Sequence, residues 1–350
     1  MSTELIIALI KANLILGVLL TNTILLIWFE RKLVAGMQSR VGPDRAGPFG
    51  LLQTVADAIK LLLKEQIMPL KADRAMYLLA PILALVPSFL IFMIIPLGPD
   101  LNIEVGGKNY AVDFVGADLN VGVLYFLALS SIAVYSVVLA GWSSGSKYPL
   151  LGGVRASAQM ISYEAAMGLS LVPVILYAGS LSLVDIVSSQ AGNLSTSIPI
   201  LSSIVSFIPK WNIFPQFIAF GIFFISAVAE VNRAPFDLVE AEQELVGGFH
   251  TEYSGFRFAM FFLAEYINMF NMCAITATFF LGGWLGPTFE NFLPPILSAI
   301  MPIIWLGVKT FLLLFIFVWI RATLPRLRYC LLYTSPSPRD VSTSRMPSSA

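Results

Sequence analysis

The feature that most constrains this sequence is a series of apolar runs near 5–29, 77–97, 119–141, 157–179, 213–233, 257–281 and 300–320. Each is about 20 residues long, the length a helix needs to cross a bilayer. A helix also satisfies its own backbone hydrogen bonds in lipid. The runs predict an all-α fold: a polytopic transmembrane helical bundle of about seven spans. Composition agrees, with 12% charged residues against about 25% in a soluble domain. The first run begins too near the start and runs too long for a cleavable signal peptide, and no A-x-A site follows it, so it is expected to stay as a span. No low-complexity linker or clear repeat divides residues 1–329, which read as a single membrane domain. The inverted repeat of many transporters is not visible.

Charge orients the spans. The 30–76 connection carries Arg31, Lys32, Arg40, Arg45, Lys60, Lys64, Lys71 and Arg74, whereas 98–118 has only Lys108 among Asp100, Glu104, Asp113 and Asp118. The positive-inside rule then puts the N-terminus outside and the 30–76 and 229–253 connections inside. Net charge is zero and no basic block points to nucleic acid. Two cysteines, Cys273 and Cys330, and one histidine, His250, fall short of the roughly four ligands of a zinc or iron–sulfur site. No GxGxxG or GxxxxGK[ST] is present to cradle a nucleotide. No metal site is expected, and any electron carriers are expected on other chains.

The first inside connection opens with "RVGPDRAGPFG", a Gly/Pro-rich turn region. In the following "FGLLQTVADAIKLLLKE", Leu52, Val55, Ala56, Ile59, Leu62 and Leu63 recur at helical spacing, opposite Gln53, Asp57, Lys60 and Lys64. This reads as an amphipathic surface helix, against the membrane, against a partner subunit, or both. Ionisable residues inside spans are functional candidates. Lys11 reads as snorkelling toward the interface, a weaker reading for Lys309 amid "WLGV" and "TFLLLFIFVW". Glu164 shares a face with Ser157 and Gly168, where a neighbouring helix could approach. Burial there favours the protonated carboxyl unless a cation is near, so a proton-path role competes with a plain interhelical hydrogen bond. Glu265, beside Tyr266 and Asn268, is a similar case.

The segment "AEVNRAPFDLVEAEQELVGGFHTEY" (229–253) gathers Glu230, Asp237, Glu240, Glu242, Glu244 and Glu252 against Arg233 alone. Glu230 and Arg233 are spaced for a local ion pair. Pro235 predicts a helix break near Ala234, and Asp237 is placed to cap a short new helix. On that helix Asp237, Glu240 and Glu244 would share one face and repel. A solvated acidic face awaiting basic partners is one reading. Closely spaced carboxyls that share protons and titrate as a set are the other.

These residues also carry a family resemblance. "ERKLVAGMQSRVGPDRAGPFGLLQTVADAIKLLLKE" (30–65), "ALSSIAVYSVVLAGWSS" (128–144), "GGVRASAQMISYE" (152–164), the acidic segment, "FFLAEY" (261–266) and "KTFLLLFIFVWIRATLPRLRY" (309–329) resemble one membrane subunit of NADH–quinone oxidoreductase (respiratory complex I), named subunit 1 in mitochondria and the H subunit in bacteria. The match spans nearly all of 1–329 and leans to the bacterial branch. It implies a proton-pumping enzyme in which this subunit anchors the peripheral arm and forms the chamber where quinone is reduced. NADH, FMN and Fe–S clusters would belong to partner subunits, and this chain would carry no redox centre. It implies an energy-transducing membrane, bacterial or mitochondrial, with other complex I subunits, quinone and lipid as partners and no nucleic acid.

Carried over by position, Glu30, Arg31, Arg40, Asp57, Lys60, Lys64, Arg155, Gln159 and Arg233 match the chamber and its entrance. Glu164, Glu230, Asp237, Glu240, Glu242, Glu244 and Glu252 match the acids of the proton path. The alternative is the equivalent anchor of a membrane-bound hydrogenase or other-donor dehydrogenase. Two departures stand out. Asp44 occupies a position where the family commonly has Asn. Residues 330–350 form a Ser/Pro-rich tail where the family has an eighth span, and this tail is expected not to be native to the family.

Overall fold

The computed structural model describes residues 3–99, 101–105, 108–112, 114–192, 209–237, 246–287 and 295–327. The short helix expected after Asp237, with Glu240, Glu242 and Glu244, lies outside these residues, as does the 330–350 tail. The main helices are α1 (Thr3–Met37), α3 (Arg74–Met93), α4 (Gly122–Ser143), α5 (Lys147–Ala178), α7 (Phe217–Glu230), α8 (Gly255–Phe280) and α9 (Pro295–Thr323). Shorter helices α2 (Gln53–Leu63) and α6 (Leu183–Ser189) lie between them. Among the described residues six helices are long and apolar enough to cross a membrane. The seven expected spans are all found as helices, but α7, at 14 residues, is too short to meet that criterion. The chain is a multi-pass helical bundle.

Two expectations need amending. α5 begins at Lys147, ten residues before its expected start at 157, because "KYPLLGGVRAS" continues the helix with Pro149 in its first turn, where a missing N–H costs no bond. The 98–118 connection contains an antiparallel hairpin, β1 (Leu101–Val105) paired with β2 (Lys108–Val112). Alternating apolar residues around a Gly-Gly dipeptide are a hairpin signal that the all-α reading passed over.

At one end of the bundle α1, α4, α7 and α9 finish while α3, α5 and α8 begin. Hydrogen bonds tie this basic end together: Asp73 N donates to Ser143 O at 3.0 Å, Ile67 N to Ser254 Oγ at 2.9 Å, and Tyr77 Oη to Glu252 O at 2.8 Å. Asp73 also caps α3, accepting from Ala75 N at 3.1 Å. Tyr77 and Tyr253 stack with ring centroids 4.1 Å apart. Burial pushes the Tyr253 hydroxyl up to about 12, so it acts as a donor, to Tyr77 O at 3.2 Å. A second apolar cluster fills the middle and far end, with Phe223 against Phe279 and Phe280, and Phe224 against Phe317.

Small residues let α4 and α5 approach. A Cβ on Gly141 would sit 2.5 Å from Pro149 O, and one on Gly153 3.1 Å from Val137 O. The close approach falls here, about three turns before Glu164, and not at Gly168, where the nearest atom to an added Cβ is Leu127 Cδ1 at 3.9 Å. The 41–50 connection is a turn region as expected, with one 3-10 turn at Pro48–Gly50, pinned to α1 by Trp28 Nε1 donating to Phe49 O at 2.9 Å. Asp44 finds its partner in Lys32, 3.5 Å away.

Lys309 does not snorkel. It is buried, and its Nζ donates to the carbonyls of Leu281 at 2.6 Å, Gly283 at 2.9 Å and Leu285 at 2.5 Å. The ammonium also lies 4.3 Å from the Trp211 ring. It closes the C-terminal end of α8, where unpaired carbonyls and the helix dipole favour a cation.

Candidate functional site

The sequence places two carboxylates and two arginines where α1, α8, α9 and the turn after α7 meet, and the fold pairs them. Glu30, near the end of α1, is 4% exposed and Arg233, just past α7, 6%. Arg233 Nη1 donates to Glu30 Oε1 at 3.2 Å, and its Nε lies 2.6 Å from Glu265 Oε1 on α8. Arg321 from α9 also bonds Glu30. The Tyr266 ring lies under the Arg233 guanidinium, 4.4 Å from centroid to Cζ. Two cations thus face two anions, as buried charges require.

The expected Glu230–Arg233 pair is not formed. Asn232 takes a left-handed φ of 54°, which ends helical geometry between the two residues. Arg233 is thereby turned toward α1 and α8. Glu230 points instead between α4 and α5, where its electrostatic neighbour is Glu164 of α5 and its hydrogen-bond partner is Ser130 of α4. Ser130 Oγ also donates to Glu164 Oε1 at 3.4 Å, and Ser131 donates to the same oxygen. Among the described residues no cation bonds either carboxyl. Gln159, one turn before Tyr163 on α5, donates through Nε2 to Ala229 O at 2.8 Å. It holds the last turn of α7 against α5.

Two cavities flank this region. A polar one of about 80 Å³ is lined by Ser136, Glu230, Asn232, Asp237, His250, Glu265 and Asn268 among apolar residues of α3, α4, α5 and α8. It has room for several waters, each needing about 10–15 Å³. Asp237 is buried and paired with Arg326, 2.8 Å away, whose side chain is 40% exposed. Burial depresses the His250 imidazole to about 4, against a smaller opposing pull from Asp237. The ring is packed edge-on to Phe249, Phe258 and Phe262 at centroid distances of 5.0, 5.4 and 6.2 Å. His250 is therefore a neutral imidazole at neutral pH.

The second cavity is an apolar cleft of about 440 Å³ between α1, α2 and α8, lined by Leu20, Ile24, Ile27, Leu61, Phe262 and Leu263, with Tyr266 as a polar group in the wall. At its rim Arg31 Nη1 bonds Asp57 Oδ2 at 2.6 Å, with Gln53 Nε2 donating to the other carboxylate oxygen at 3.1 Å. Phe262 lines both cavities, and Glu265 and Tyr266, adjacent on α8, face one each.

The sequence-predicted residues divide accordingly. Glu30, Arg31, Asp57, Arg233, Glu164, Glu230, Gln159 and Asp237 converge on the two cavities and the clusters between them. Arg40 is exposed and bonds Gln38 Oε1 at 2.7 Å. Lys60 and Lys64 are exposed on α2 beside Ile59, Leu62 and Leu63, so the apolar stripe of α2 faces out of the chain, as a membrane or partner contact requires. Arg155 is half-buried on α5, and Glu252 is half-buried beside the Tyr77–Tyr253 stack. Sequence reasoning passed over Ser130, Ser131, Tyr266, His250, Arg321 and Arg326. A serine doublet inside an apolar span was the available signal for the first two. Both arginines follow the last apolar run, where flanking positive charge is ordinary. Among the described residues no group of three or more His, Cys, Asp or Glu could hold a metal ion.

The family model described as NADH dehydrogenase matches residues 10–335. An H subunit of NADH-quinone oxidoreductase from Koribacter versatilis is 49% identical over 333 residues, covering 93% of this chain and 90% of its own. Its counterpart in Geobacter sulfurreducens is 50% identical over 319 residues, 91% of this chain and 87% of the relative. The H subunit from Frankia alni is 51% identical over 323 residues, 92% of this chain and 66% of that longer protein.

Proposed function

We propose, from the premise that this chain belongs to the NADH dehydrogenase family together with the H subunits of NADH-quinone oxidoreductase, that it forms the quinone-reduction chamber of that enzyme and the start of its proton path. The observation that carries the reading is the meeting of an apolar cleft and a polar cavity at Arg233, Glu265 and Tyr266. A long apolar cleft open beside α2 suits a quinone with an isoprenoid tail, the tail lying along Leu20, Ile24, Ile27 and Leu263. Arg31 and Asp57 mark the entrance.

Reducing a quinone to a quinol takes two electrons and two protons. The electrons come from a redox centre on a partner subunit docked at the basic end, where NADH oxidation and its flavin and iron–sulfur chemistry reside. Charge developing on the head group acts on Arg233 through Tyr266. Arg233 holds Glu265, which lines the polar cavity, so a change at the cleft alters the field felt by Glu230 across that cavity. Glu230 and Glu164, bridged by serine hydroxyls and with no cation bonded to either among the described residues, are the pair suited to holding and passing a proton. Asp237, Glu240, Glu242, Glu244 and Glu252 belong to the same acidic loop and supply protons toward it. The relatives' names favour NADH–quinone chemistry over the hydrogenase-type alternative. By the same reading the chain sits in an energy-transducing membrane with its basic end inside.

The test is a photoreactive quinone bearing its label on the tail, applied to the assembled complex. Adducts at Ile24, Ile27 or Leu263, competed by unlabelled quinone, are the expected result. Labelling confined to other subunits would remove the chamber from this chain.

A further inference from the structure

We propose that His250 is a two-sided proton relay from Asp237 to Glu230 within the polar cavity that all three line. This rests on the proton-path reading above and adds to it a route that draws protons from the aqueous phase at the basic end.

The geometry sets the two sides. Asp237 is buried but bonded to the half-exposed Arg326, so this carboxylate stands between solvent and the interior. His250 and Asp237 line the same cavity. Around the ring, α8 presents Phe258, Phe262, Glu265 and Asn268, α7 presents Glu230, and the connection after it Asn232 and Asp237. α4 contributes Ser136, α5 Met160 and α3 Ala84. Every described titratable group lining the cavity besides the imidazole is a carboxyl. The three phenylalanine edges offer the ring no hydrogen-bond acceptor. The depressed basicity produced by burial keeps the ring neutral at neutral pH, leaving it one N–H donor and one bare nitrogen acceptor.

A neutral imidazole so placed moves a proton without holding a net charge. The bare nitrogen takes a proton delivered through Asp237 as the opposite nitrogen releases its own to cavity water. Asp237 returns to its anionic pair with Arg326, and the ring ends neutral in the other tautomer. A ring flip restores the first tautomer, and the proton passes through the cavity toward Glu230 and Glu164. An amide in its place keeps a donor and an acceptor but cannot exchange one for the other.

The experiment uses the assembled complex in sealed vesicles with His250→Asn and His250→Ala, each measured for quinone-dependent NADH oxidation, proton translocation and KM for quinone. Both variants are expected to slow the two rates by roughly a hundredfold, the lower range for positioned proton transfer, with KM unchanged and a larger solvent deuterium isotope effect. Added imidazole is expected to restore His250→Ala, and not His250→Asn, whose side chain fills the space. Wild-type rates in His250→Asn, or no response of a slowed His250→Ala to imidazole, overturn the relay. Should the alanine variant fail to assemble, the isotope effect in His250→Asn decides alone. Glu230→Gln separates the two readings: if it is slow while both His250 variants are fast, only the relay fails. If Glu230→Gln is also fast, the proton path itself fails.

Discussion

Two buried carboxylate clusters lie side by side in this bundle, built from the same residue type and opposite in character. In the first, Glu30 and Glu265 face Arg233 and Arg321, so every charge has a counter-charge. In the second, Glu164 and Glu230 face each other across serine hydroxyls. The first can hold its charges in all states and ties α1, α8 and α9 to the turn after α7. The second has no cation bonded to either carboxyl among the described residues, and it is the pair to which the proposed function gives the movable proton. Partners, more than the acids themselves, divide the paired cluster from the one proposed to handle protons.

The largest way to break this contrast is Arg233→Gln. It leaves Glu30 with Arg321 alone and takes from Glu265 its arginine, and removing one partner of a buried ion pair costs about 3–5 kcal/mol. The expected outcome is loss of assembled complex or a steep fall in thermal stability. Adding Glu265→Gln should recover part of that loss. An Arg233→Gln complex of normal stability would mean that the first cluster is not structural.

Glu230→Gln should do the reverse. It removes one of two like carboxyls without stranding a cation, so the melting temperature should hold or rise. Proton translocation should fall on the order of a hundredfold, as for loss of a positioned acid–base group. On the proposed function the two acids act as one unit, so Glu164→Gln added to Glu230→Gln should slow the enzyme little further, a non-additivity that a double-mutant cycle reads directly. Independent, multiplying effects would show that the pair shares no proton.

A smaller effect comes from His250. The imidazole is depressed to about 4 in the folded protein, against an ordinary 6.5. Between those values the unfolded chain binds a proton that the folded one does not, so acid favours unfolding. The stability held above pH 6.5 is lost as pH falls toward 4. In detergent, the drop in melting temperature over that window should be shallower for His250→Asn. An unchanged drop would assign the acid sensitivity to the carboxylates.

Much of this is legible in the sequence. Apolar run length located the seven helices because the bilayer sets their length, and Pro235 located the break after α7 closely. What escaped was direction. The spacing of Glu230 and Arg233 allows a pair on a continuous helix, but the left-handed turn at Asn232 sends the two side chains to different clusters, and such a turn leaves no periodic signal. Arg321 and Arg326 look like flanking charge in a linear string, because pairing with Glu30 and Asp237 spans 291 and 89 residues. Lys309 was legible as unusual but not as a cap, since its acceptors are backbone carbonyls without a side-chain signature.

The least effect belongs to the rim of the apolar cleft, and it sharpens the contrast because it is an ion pair outside the core. Arg31 and Asp57 are bonded at 2.6 Å, yet their side chains are 46% and 35% exposed. Solvent competes for both, and exposed pairs contribute about 0–1 kcal/mol. Asp57→Asn should leave the melting temperature within a degree or two and assembly intact. It frees α2 from its only described salt bridge to α1, across the opening through which a tailed substrate would pass. The expected consequence is therefore kinetic: KM shifts for long-tailed quinones and holds for short-tailed ones, with kcat unaffected. Raising ionic strength should mimic the variant in the wild type, because exposed pairs are screened. A stability loss comparable to Arg233→Gln would mean that partners, and not burial, set the worth of an ion pair in this protein.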